Sequence, residues 1–153
     1  MSQHTEPDLT TLLSIVADPV GPLASRMGMT IIEASPRRVV ATLPVEGNTQ
    51  PYGILNGGAS AVLAEVIGSA GSALHGYPDR LPVGIELNAT HHRPVSEGIV
   101  TGVGTAIHLG RTMATWEIVV SDSRDRRVCT ARLSCAMVPA ERFGVAPPPS
   151  HRP

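Results

Sequence analysis

Residues 57–74 read GGASAVLAEVIGSAGSAL, eighteen positions with a single charge, Glu65. Their length and alanine content predict a helix, and a helix with almost no polar face has to be covered on most sides. A bilayer cannot be the cover. Four glycines, three serines and a central carboxylate make the segment too polar for a membrane span. The rest of the chain must therefore wrap this helix, and 153 residues suffice for one domain that does so.

The wrapping is predicted to be a sheet. Residues 27–34 and 37–45 are short, rich in Ile, Val and Thr, and separated by Ser35-Pro36, the pattern of a hairpin. Four more strand-like runs follow the helix, at 83–92, 99–109, 113–122 and 128–138, and are expected to form a meander with a hairpin loop at 123–127. Alternation is clearest in the last run. Cys129, Ala131, Leu133, Cys135 and Met137 lie on one side and Thr130, Arg132 and Ser134 on the other, as one covered sheet face requires. Ahead of them, Leu9, Leu12, Leu13 and Val16 at helical spacing predict a short helix over 8–18, capped by Asp8 and stopped by Pro19, where a turn from Pro19 to Pro22 is expected. The expected fold is α+β, one antiparallel sheet around one helix. A lead-in at 1–26 precedes the domain at 27–139, and the proline-dense tail at 140–153 is expected to be disordered.

Several functions are excluded by composition. A net charge of -1, with basic residues scattered, offers no footprint for nucleic acid and no basic block for a membrane surface. Trp116, Tyr52, Tyr77 and Phe143 are the only aromatic residues, too few for a base-stacking platform. The first residues lack the basic and apolar regions of a secretory signal, so the expected compartment is the cytoplasm. Cys129 and Cys135 would lie about 20 Å apart in one strand, beyond disulfide reach, and are expected to be free. No cysteine or histidine cluster has metal-ligand spacing, and His91 and His92 point to opposite faces of a strand.

Candidate chemistry centres on Glu65. A carboxylate inside a covered helix costs several kcal/mol unless paired or protonated. Its helical neighbours, Gly58, Ala61, Val62, Gly68, Ser69 and Ser72, form a small, weakly polar strip, whereas a solvated stripe would carry more charges. Small residues let a substrate approach closely, although tight packing would select them too. Gly57-Gly58 opens the helix, where free backbone N–H groups can bind an oxyanion; a plain turn capped by Asn56 is the other reading of the same residues.

At four places the chain resembles the hotdog-fold acyl-CoA thioesterases of the hydroxybenzoyl-CoA and phenylacetate-pathway (PaaI-like) types. These are QPYGILNGGASAVLAEVIGSAGSAL, VGIELNATHHRPVSEG, IHLGRTMATWEI and ARLSCAMV. The resemblance implies a long helix in a curved antiparallel sheet, a homodimer or homotetramer with intersubunit active sites, and hydrolysis of an acyl thioester, aryl more than long aliphatic. It implies no bound metal or cofactor. By position, Glu65 is similar to the family's catalytic carboxylate, Gly57 to its oxyanion donor, Gln50 to a polar group over the thioester, and Ser69 to the residue that orients water. His91 shares parity with Val83, Ile85, Leu87 and Ala89, so if those face the helix it points inward, where it resembles a substrate-side histidine. Gly58, Arg93, Arg111 and Thr112 fall where relatives hold substrate, the arginines matching CoA phosphates. Asn56 departs from the family, since many relatives have His there and Asn cannot take a proton at neutral pH. Tyr52 and Trp116 are candidates for lining the acyl pocket.

Spacing adds an independent constraint. Eight residues separate Gly57 from Glu65, about 12 Å along a helix, so one carbonyl cannot touch both. If both act on the same thioester, they must come from different subunits, with two equivalent sites per dimer. A non-hydrolysing acyl-CoA binder and an enoyl-CoA hydratase are the alternatives, the first because of Asn56 and the second requiring a His-Asp pair that the sequence lacks.

Overall fold

In the computed structural model, which describes residues 7–15 and 18–144, the central helix is α3, Gly57–Gly76. Asn56 starts it in extended conformation, its side-chain oxygen accepting from the Gly58 N–H at 2.8 Å. Its polarity does not by itself exclude a bilayer, contrary to the expectation from glycine, serine and Glu65: the helix is long and apolar enough to span one, and what places it in a core is that 56% of its apolar stretch is buried inside the fold. Leu63, Ile67 and Leu74 are wholly buried, each contributing about 1.5–3 kcal/mol. Glycines permit close approach to the sheet. A methyl group at Gly71 would collide with the Trp116 indole, whose Nε1 donates to the buried Ser72 hydroxyl at 2.9 Å. Trp116 therefore anchors helix to sheet and lines no acyl pocket, and Tyr52 lies exposed in its loop.

Six strands cover the helix: β1 (Thr30–Ala34), β2 (Arg38–Pro44), β3 (Arg80–His91), β4 (Ile99–Leu109), β5 (Met113–Ser121) and β6 (Arg127–Pro139). All pairings are antiparallel, in the order β1-β2-β4-β5-β6-β3. The expected four-strand meander is thus corrected: only β4, β5 and β6 form one. β2 takes the edge of β4 that β3 would need, from Arg38 against Thr105 to Pro44 against Ile99, and β3 pairs with β6 at the far edge. Residues 92–98 then cross back over three strand spacings, roughly 14 Å, well within the roughly 23 Å that seven extended residues span. Leu55 N–H and Val45 N–H bind this crossing at Val95 and Gly98.

In β6 the expected face is buried, from Cys129 through Met137, and both cysteines are free. At the N-terminus, α1 (Leu9–Ile15) is capped by Asp8, which accepts from Thr11 N–H at 3.0 Å; Val16 of the expected helix lies outside the described residues. A second short helix, α2 (Gly21–Arg26), follows where only a turn at Pro19 and Pro22 is expected. Proline in the first turn of a helix is compatible with its missing N–H, so the same residue serves both readings. Ala140–Phe143 form a 3-10 turn with Ala140 buried, so the tail begins ordered; residues 145–153 are outside the described residues.

Candidate active site

Two cavities flank α3. One, about 390 Å³, lies at the helix start, bounded by Gln50, Gly57, Ser60, His91 and Arg93 among others. The other, about 360 Å³, lies further along the helix and contains Glu65 and Ser69. Both volumes fall in the range of small-molecule sites. The predicted residues are thus sorted into two groups, with Gln50, Gly57, His91 and Arg93 together and Glu65 and Ser69 together.

At the helix start, the Asn56 side chain is committed to the Gly58 N–H. That bond removes Gly58 as a donor. The Gly57 N–H has no acceptor among the described residues, and it sits at the positive end of a twenty-residue helix. Its surroundings leave space for a ligand only because it is glycine: a β-carbon there would come within 2.9 Å of His91 Nε2. Ser60, buried one turn on, completes this wall. Gln50 is held in a tight loop, its N–H donating to Ile54 and its carbonyl accepting from Gly53 N–H at 2.8 and 2.9 Å.

His91 faces the helix, but not for the expected reason. Val83, Ile85, Leu87, Ala89 and His91 do not share one face, because a bulge between Gly84 and Glu86 leaves Ile85 unpaired and shifts the alternation. Leu87, Ala89 and His91 lie opposite the buried Leu133, Ala131 and Cys129, whereas before the bulge Pro82 and Gly84 take that face opposite Met137 and Cys135.

That shift aims Gly84 at Glu65. Any β-carbon at 84 would collide with the carboxylate Oε1, so glycine here makes room for the acid. Glu65 itself is half-buried, and the Ser69 hydroxyl donates to its Oε1 at 3.2 Å. Beneath them Cys135 is buried; desolvation pushes its thiol up, the nearby Glu65 charge adds to the rise, and contacts with Ser72 and Ser69 oppose it. A thiol held protonated in this way is no nucleophile.

Arg111 lies elsewhere. It lines a pocket with His75, Tyr77 and Arg80 at the C-terminal end of α3, about 27 Å along the helix from Gly57, and the neighbouring Thr112 carbonyl accepts from Met137 N–H at 2.9 Å. Arg93 and Arg111 are therefore not brought together in one chain. Ser60 and Gly84 went unnoticed in the sequence, although a glycine inside a strand signals close approach of another group.

The thioesterase superfamily model matches residues 52–129. Proofreading thioesterase EntH from Cronobacter turicensis is 44% identical over 84% of this chain and 94% of its own length. The chain belongs to the thioesterase superfamily. It has the hotdog fold and is a thioester hydrolase rather than a silent binder. Among solved structures, a glutamine-to-alanine mutant of thioesterase PA1618 from Pseudomonas aeruginosa is similar at 38% identity, with TM-score 0.79, covering 89% of this chain and 97% of that one. A glutamate-to-alanine mutant of SAV0944 from Staphylococcus aureus is 33% identical with TM-score 0.73, covering 76% and 98%.

Proposed function

We propose that this thioesterase hydrolyses acyl-CoA at sites shared between two subunits of a homodimer, alone or within a homotetramer, in the cytoplasm. Gly57 N–H of one subunit holds the developing oxyanion, with Gln50 beside it, and Glu65 of the other supplies the carboxylate. One observation carries the reading: the unpaired Gly57 N–H and the Glu65 carboxylate open into different cavities of a single chain, so neither cavity alone holds both parts of an acyl-transfer site. Support also comes from the relatives. In SAV0944 the substituted glutamate and a substituted glutamine are fifteen positions apart, the separation of Gln50 and Glu65.

In the reaction, water adds to the thioester carbonyl as Glu65 takes its proton. The C–S bond then breaks, Glu65 gives that proton to the departing thiolate, and acid and free CoA leave. In a second version Glu65 attacks directly, expels the thiolate and forms an anhydride that water opens. Ser69 orients water or carboxylate through its bond to Oε1. His91 flanks the thioester, while Arg93 and, from the partner subunit's surface, the position equivalent to Arg111 bind CoA phosphates.

Glu65→Gln is expected to lower kcat by about a hundredfold or more, with the melting temperature unchanged or raised, since an active-site charge opposes stability. Thiol release from acyl-CoA measures it, and wild-type turnover in the variant overturns the assignment. A single turnover in oxygen-18 water separates the versions, because only the anhydride route leaves label on Glu65.

A further inference from the structure

We infer that the cavity beside Glu65 is a slot for an aliphatic acyl chain of medium length, octanoyl to decanoyl, closed by the turn at residues 18–21. The inference rests on the reading of Glu65 as the catalytic carboxylate and assigns what lies next to it.

The slot has one polar end. Glu65 and Ser69 stand there, and beyond them α3 contributes Val66, Ala70 and Ala73. With Glu65 as origin, these side chains fall within an arc of roughly 140° and extend about 12 Å along the helix. Alanine at 70 and 73 leaves the floor open where longer side chains would fill it. Leu12 of α1 and Leu81 and Pro82 at the start of β3 form the walls, and Pro19 and Val20 form the roof.

Asp18 also borders the slot, but its carboxylate is already spent on the turn. Oδ1 accepts from Val20 and Gly21 N–H at 3.2 and 3.1 Å, and Oδ2 accepts from the Ser25 hydroxyl at 2.7 Å. These bonds fix the roof to α2. What remains for a ligand past Glu65 and Ser69 is aliphatic, with no aromatic ring among the described lining residues.

The length decides between acyl classes. A single benzoyl ring would occupy only the part next to Glu65 and leave the remaining apolar volume without contact partners, forfeiting dispersion. An acetyl group would leave still more. A flexible alkyl chain fills the slot to Ala73. The family resemblance favours aryl groups, whereas the walls of this chain favour saturated ones.

The test is kcat/KM on CoA thioesters from acetyl to tetradecanoyl, and benzoyl, for the purified full chain. The wild type is expected to peak between octanoyl and decanoyl, at least about tenfold above acetyl and benzoyl. Ala73→Met shortens the floor, so decanoyl should fall about tenfold relative to butyryl. Val20→Ala opens the roof and should move the peak to longer chains, which keeps the proposal testable if the first variant folds poorly. A benzoyl preference in the wild type, or an acyl-length profile that Val20→Ala leaves unmoved, overturns the slot. Those results, with Glu65→Gln inactive, leave the catalytic reading standing; turnover surviving in Glu65→Gln sinks that reading instead.

Discussion

Gly84 shows how one missing atom arranges this site. A β-carbon there would meet the end of the Glu65 side chain, a flexible group that can swing away cheaply. Gly84→Ala should therefore alter stability by less than about 1 kcal/mol yet displace the carboxylate from Ser69 and lower kcat by about tenfold or more. Thermal melting and steady-state kinetics on one preparation check this; an unchanged kcat would mean that the carboxylate needs no such room. Asn56 makes the complementary point. Where the family resemblance leads one to expect His, this chain has a side chain absorbed by the helix start, and capping is a role that its residue type predicts as well as any substrate contact. Glu65 stands out as a candidate in the sequence because an isolated charge in a covered helix demands a reason. Gly84 does not, since nothing in the order of residues tells which side group a strand glycine admits.

Among the elements, β4 has the bounds its sequence predicts, 99–109, and the other long elements lie close to theirs. α3 extends two residues past its predicted end, and β6 buries the predicted face. What escaped was pairing: β3 looks like the neighbour of β4 in sequence but joins β6, because a strand's alternation records which face is covered and not which edge it meets. The bulge at Ile85 was hidden for a similar reason, as one extra residue reverses the parity without changing composition. The β5–β6 hairpin offers a test of element stability. Asp122, almost fully buried, accepts from Arg124 and Arg126 backbone N–H groups and pairs with the Arg126 guanidinium. The Arg126 side-chain hydrogen bond, chief among these contacts, holds its carboxyl down at about 2 against an ordinary 3.8. The folded value lies below the unfolded one, so this contribution is complete above about pH 4 and disappears as pH falls toward 2. Urea melts of wild type and Asp122→Asn should differ most at pH 6 and converge on acidification. A gap that stays constant from pH 6 to pH 2 would show that the ionised form contributes nothing.

The whole assembly carries the strongest prediction, because the proposed site exists only between chains. Gln50→Ala and Glu65→Gln should each be nearly inactive as homodimers. Mixed dimers place both substitutions in one site and neither in the other, so co-refolding should restore about half the wild-type activity per mixed dimer. Mixtures with no gain over the separate variants would mean that each chain works alone. Assembly is shaped also by the margins of the sheet. β1 and β3 are its two outer strands, and each is interrupted by a bulge, at Ile32 and Ile85, with exposures of 56% and 59%. Pro82 further deprives β3 of an amide proton. An uninterrupted border could recruit copy after copy at sliding offsets, the route to fibres. These borders offer only short stretches of regular backbone, so the same irregularity that turns Gly84 toward the acid also disfavours open-ended stacking of copies.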